Sequence, residues 1–94
     1  MRYQLDNTMR FRHIGTILNC ADNTNLNPDD FTITSDMVNI KTKERHAVTV
    51  RKDGELVEFT VPPNTLTDGL YEWRCYLSNE QVRWGSPKVT IKVT

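Results

Sequence analysis

The chain has 94 residues, with 12 Lys and Arg against 12 Asp and Glu and a formal net charge of zero at pH 7. That balance excludes the clustered positive charge with which a dedicated nucleic-acid binder displaces counterions from phosphates. A chain this short makes a single domain, residues 1–94, that buries roughly two-thirds of its unfolded surface and has no room for a separate cofactor domain. Two Trp, three Tyr and three Phe at a mean hydropathy of -0.57 describe a polar-surfaced chain that folds. No stretch approaches the roughly 18 apolar residues of a membrane span, and residues 1–12 lack the basic start and apolar segment of a signal peptide. The chain is therefore expected to be made in a cytoplasm and to have no membrane partner.

Along the chain the period is two. Met9, Phe11 and His13 alternate with Arg10 and Arg12, the pattern of a strand with one face on a core. Gly15 interrupts, which predicts a bulge or a change of sheet, and Ile17 and Leu18 resume the run. Residues 21–30 are mostly Asn, Asp and Pro with one leucine and predict a loop. Phe31 and Ile33 open a second alternating run, and Val38 and Ile40 a third. Val48 and Val50 lead into Lys52-Asp53-Gly54-Glu55, after which Val57, Phe59 and Val61 alternate with Glu58 and Thr60. Asp-Gly between two such runs predicts a hairpin.

Pro62-Pro63 ends that strand, because proline cannot donate to a ladder. From Leu70, the residues Tyr71, Trp73, Cys75 and Leu77 share one face, with Glu72 and Arg74 on the other. Residues 78–81 turn the chain, residues 82–84 return it, and Gly85-Ser86-Pro87 breaks it. Val89, Ile91 and Val93 alternate with Lys88, Thr90 and Lys92 to the end. About seven short strands without a helical period predict an all-β sandwich of antiparallel strands, a small closed barrel being the alternative. Trp73, Val57, Phe59, Val61, Val89 and Ile91 are its expected core.

Asp68-Gly69-Leu70-Tyr71-Glu72-Trp73 resembles the D-x-G-x-Y-type corner that leads into the penultimate strand of immunoglobulin-like domains. The resemblance makes Tyr71 a fold anchor whose hydroxyl bonds back to upstream backbone, with Trp73 beside it. Disulfide-bonded immunoglobulin domains carry a cysteine two residues after the tyrosine; here Trp73 stands there and Cys75 follows, at a spacing from Cys20 close to that of such domains. The shifted cysteine favours two free thiols over a bridge. The G-x-Y-x-W strand, polar hairpin, Gly-Ser-Pro break and final Lys-Val-Thr-Ile-Lys-Val-Thr strand are similar to the small immunoglobulin-like modules of bacteriophage virions. Such modules occur in capsid decoration proteins and in baseplate and tail proteins, including the N-terminal domain of the upper baseplate protein. The similarity covers residues 57–94 in pattern and the first half in strand count. It implies a virion location and, as partners, other virion structural proteins in many copies.

The residue types offer little chemistry. His13 and His46 have no acid and nucleophile in a recognisable motif, so no catalytic residue is assigned. Asp22, Asn25, Asn27, Asp29 and Asp30 gather oxygen ligands in one loop but lack the spacing and bidentate glutamate of a calcium loop. Cys20 and Cys75 lack C-x-x-C spacing, and the glycines are scattered singly, so neither a metal nor a cofactor is expected. Arg2, Arg10 and Arg12, like Lys41, Lys43 and Arg45, read as solvated charge that protects strand edges.

Tyr76 falls opposite in phase to Tyr71 and Trp73, and Trp84 lies on a short strand at a sheet edge, so both are candidate interface residues. Residues 1–8 are expected as an extended N-terminal arm, with Met1, Arg2, Tyr3 and Leu5 joining the interface. Two functions are consistent with this reading. One is a non-enzymatic structural subunit of a phage particle acting by protein-protein contact; the other is a carbohydrate- or cell-surface-binding module in which Trp84, Tyr76 and Tyr3 stack on a surface glycan.

Overall fold

The computed structural model describes residues 2–19, 22–81, 83–85 and 88–94, with backbone alone at Arg2, Tyr3 and Asn19. The chain forms strands β1 (Arg2–Leu5), β2 (Phe11–Asn19), β3 (Thr24–Leu26), β4 (Thr32–Asn39) and β5 (Arg45–Ala47), followed by β6 (Thr49–Asp53), β7 (Leu56–Val61), β8 (Gly69–Ser78), β9 (Arg83–Gly85) and β10 (Val89–Val93). One sheet has the order β1-β10-β8-β4-β5 with β9 also on β8, and the other the order β3-β2-β7-β6. This is an all-β sandwich, with β4, β5, β8 and β10 in one layer and β2, β7 and β6 in the other.

Alternation decides which side chains meet between the sheets. Tyr71, Trp73 and Leu77 of β8 are buried with Met37 of β4, Ile91 and Val93 of β10, Phe11 of β2 and Val57, Phe59 and Val61 of β7. Val89 and Ile17 pack on this cluster from its edges. Trp73 spans the two layers. Its ring meets Phe11 and Phe59 edge-on at centroid distances of 5.2 Å and 5.4 Å, and its Nε1 donates to Ser35 Oγ at 2.8 Å. Ser35 Oγ in turn donates to the Arg74 carbonyl at 2.7 Å, so the buried indole N–H and the hydroxyl are both satisfied.

The chain changes sheet at Val48. The β5 strand pairs with β4 in one layer and β6 with β7 in the other, and the buried Val48 between them donates its N–H to the Ser35 carbonyl at 3.0 Å. The expected hairpin joins β6 to β7, with Gly54 and Glu55 as its two loop residues. After Pro62-Pro63 the loop buries Leu66, and the Tyr71 hydroxyl lies 3.0 Å from both the carbonyl and the Oγ1 of Thr67. Tyr71 itself is fully buried, so those are the partners its hydroxyl has in place of water.

Several local expectations are corrected. Residues 2–5 of the expected extended arm are a sheet strand: β1 pairs parallel with β10, the exception to antiparallel pairing among the described residues. Asn7 holds it there, donating its N–H to the Thr94 carbonyl, accepting from Asn64 N and bonding Asp68 Oδ1 through its side chain at 2.9 Å. Gly15 makes no bulge, since β2 and β7 keep one register from Phe11↔Val61 to Thr16↔Leu56. The second and third alternating runs are one strand, β4, because Ser35 and Asp36 continue the pairing with β8. The expected loop over residues 21–30 contains β3, paired with β2 from Ile17↔Leu26 to Asn19↔Thr24, and a 3-10 turn over Pro28–Asp30 capped by Asn27. Among the described residues there are thus ten short strands where about seven were expected. Cys20 lies outside the described residues, and the Cys75 Sγ is 3.5 Å from Ser35 Oγ.

Tyr71→Phe should lower stability by about 1–3 kcal/mol, because the Thr67 acceptors lose their buried donor; equal urea midpoints for the two proteins would remove the corner as an anchor. Trp73→Ala should cost about 3–5 kcal/mol, most of the stability of a domain this size. A cooperatively melting Trp73→Ala protein of near-normal midpoint would contradict the bridging role.

Candidate functional site

The β8–β9 ribbon carries the largest exposed aromatic groups of the described residues. Trp84 stands in register with Leu77 and Tyr76 with Gly85. Directly paired residues share a face, so Trp84 follows the inner phase of β8 beyond the end of the core, whereas Tyr76 is on the outer face. Trp84 is 51% exposed and Tyr76 41%. Trp84 therefore does not fill the sandwich end. The Tyr76 ring lies against Gly85, 3.5 Å from where a Cβ would stand, and covers a backbone that carries no side chain of its own.

Around Tyr76 the outer face is a charge lattice. Asp36 pairs with Arg45 at 3.4 Å, and Glu72 pairs with both Arg74 at 3.4 Å and Lys88 at 3.7 Å. The Arg74 guanidinium is held above its ordinary range, first by its hydrogen bond with the Tyr76 side chain, with Asp36 and Glu72 adding to the effect against partial desolvation. These pairs lie at the surface, where each stabilises little, and they organise the face more than they hold the fold.

The expected N-terminal contribution changes character. The Leu5 carbonyl accepts from Thr94 N at 2.9 Å, so the backbone groups of Leu5 and Tyr3 turn toward β10 and those of Arg2 and Gln4 turn to an open sheet edge. Leu5 packs on the core cluster and is partly buried. Met1 lies outside the described residues. Arg2 pairs with Thr90 at the start of β10, just after β9, so the open edge of β1 and the Trp84 ribbon lie on the same side of β8.

Two concavities flank these elements. An open groove of about 650 Å³ at one end of the sandwich is lined by Asp29, Asp30, Lys52 and Glu80, and there the Lys52 Nζ is committed to the Phe31 carbonyl at 2.7 Å. Asp22 of the neighbouring loop accepts from Thr24 N and Oγ1, which lowers its pKa, the side-chain bond acting most. The described residues hold no cluster of three metal-ligating side chains. The second concavity, of about 210 Å³, opens between β1 and β2, with Trp73, Phe11 and Ile91 as its floor and Gln4, Arg10 and His13 at its rim. His13 lies over Gly15, and its ring meets Trp73 edge-on at 5.0 Å. Sequence alternation put His13 on the Phe11 face but gave no sign of this cleft, because β1 was not foreseen as its other wall.

No protein family and no curated protein sequence matches the chain. Among solved structures, the chain is similar to an endo-fucoidan hydrolase of glycoside hydrolase family 107, at a TM-score of 0.59 and 14% identity over 99% of this chain. The match spans 12% of that enzyme's length. It is a likeness of fold between this sandwich and one part of a much longer protein.

Trp84→Ala should leave the unfolding free energy within about 0.5 kcal/mol of the parent, as expected for a surface substitution that opens no cavity. Tyr76→Ala should cost about 1 kcal/mol through loss of the cover over Gly85 and of the Arg74 contact. A large loss of stability in Trp84→Ala would make Trp84 a structural residue and not a contact one.

Proposed function

We propose that this chain is a non-enzymatic structural component that acts by protein-protein contact on a larger assembly, and that the assembly is a bacteriophage particle, on its capsid, tail or baseplate. The observation that carries the reading is the half-exposed Trp84, set on the same side of β8 as the open edge of β1. A large aromatic supplies apolar area with a polar handle, the combination that dominates interface energetics, and an open strand edge offers directional backbone bonds. The final-strand pattern and tyrosine corner supply the resemblance to virion modules. Repetition on a particle suits a small domain, because many weak contacts raise avidity without a large single interface.

Carbohydrate binding is the second reading, and the same Trp84 favours it, since an exposed indole stacks on a sugar ring. One solved structure of similar fold is part of an enzyme named for a polysaccharide, which makes glycans a reasonable probe here.

The two readings separate by experiment. Purified protein should bind saturably to particles lacking it, and Trp84→Ala should reduce occupancy about tenfold, as loss of a single hot-spot aromatic does. Gln4→Pro, which removes an outward-facing N–H from an edge strand without breaking the β10 ladder, should reduce it as well. Undiminished occupancy by both variants would sink the interface. Failure of the parent to bind particles, together with a saturable change of tryptophan fluorescence on adding a polysaccharide, would select the carbohydrate reading.

A further inference from the structure

We infer that the cleft between β1 and β2 is a binding site for a small organic anion, a carboxylate carried on a flat apolar body. The argument is independent of what the Trp84 face contacts. The cleft holds about 210 Å³, the liquid volume of about seven waters, which suits a single ring with its head group. Its floor is apolar: Trp73, Phe11, Ile91 and Leu5. Trp73 already has a partner for its Nε1 in Ser35, on the opposite sheet from β2, so its ring enters the cleft floor as apolar surface.

The charged side chains among the described lining residues are Arg10 and Arg12. Arg10, Arg12 and His13 line the cleft with Gln4, and no carboxylate does. Arg12 is held by Glu58 at 2.9 Å and 3.2 Å, which anchors it away from a ligand. Arg10, by contrast, has no salt bridge among the described residues, and a guanidinium offers donors in a fork that matches a carboxylate. Gln4 adds a neutral donor from the facing strand. His13 is held against Trp73 and over Gly15, so its ring is ordered before any ligand arrives. A cation would meet Arg10 as a like charge, and an uncharged ring would leave the guanidinium unpaired. A ring-borne carboxylate satisfies floor and rim together.

Benzoate is the direct probe, with benzamide as its neutral counterpart and acetate as the head group alone. The readout is the indole N–H resonance of Trp73 in a nitrogen-15 spectrum of the full chain, with that of Trp84 as the internal control. Benzoate should shift the Trp73 signal saturably and leave that of Trp84 in place. Benzamide and acetate should each bind more weakly. Arg10→Gln, an exposed substitution outside the strands that keeps the fold, should weaken benzoate by about tenfold, the size of one charge-assisted hydrogen bond at a partly open site. Equal binding of benzoate and benzamide, or unchanged binding by Arg10→Gln, would overturn the anion assignment. Acetate binding as well as benzoate would overturn the apolar floor, and a linear response shared by both indoles would show that the cleft is not a site.

Discussion

The sandwich depends on one side chain that belongs to both of its layers. Trp73 sits at the position where disulfide-bonded immunoglobulin domains place the second cysteine of their inter-sheet bridge. Here the link between layers is non-covalent: the indole reaches Phe11 and Phe59 of one sheet and is tied by its N–H to Ser35 of the other. Edge-on aromatic pairs contribute about 0.5–1.5 kcal/mol each beyond the area they bury, so the two together add about 1–3 kcal/mol to the link between layers. Ser35 extends the hub. Its hydroxyl bonds the Arg74 carbonyl, and its own carbonyl takes the N–H of Val48 where the chain passes between sheets.

The rest of the topology follows from keeping that hub dry. The corner at Tyr71 brings the chain back from β7 to β8 over the buried Leu66, and Asn7 and Asn64 join the same corner to the start of the chain. Through those bonds β1 becomes a sheet strand and closes the side of the core next to Ile91 and Val93. It also creates an open edge and a cleft. Its far side is an open edge beside the Trp84 ribbon, and its near side is the wall of the Arg10–His13 cleft.

A net charge of zero conceals a sorted surface. On the outer face of β4 and β8, Asp36, Arg45, Glu72, Arg74 and Lys88 neutralise one another in a lattice. Around the cleft the arginines and the histidine have one carboxylate between them, Glu58, and it is engaged by Arg12. Composition sums these two regions to nothing, yet their fields differ because pairing is local and screening at physiological salt confines each to about 8 Å.

The alternation of Tyr71, Trp73, Cys75 and Leu77, and of Val57, Phe59 and Val61, was sufficient to assign an all-β sandwich and most of its core. A strand exposes its period to inspection and its burial follows from it. The Gly54 turn and the stop at Pro62-Pro63 were legible for the same reason, since backbone limits act within a few residues. The exposure of Tyr76 was readable from its phase. Trp84 was not, because its register on β8 places it past the end of the core, and where a core ends is a property of the facing sheet. The setting of His13 was equally hidden: it is packed by Trp73 from sixty residues away in sequence. The parallel pairing of β1, and with it the cleft, depended on hydrogen bonds from Asn7 to Thr94 and Asn64. Those contacts join residues that share no local pattern, so only the folded chain could bring them together.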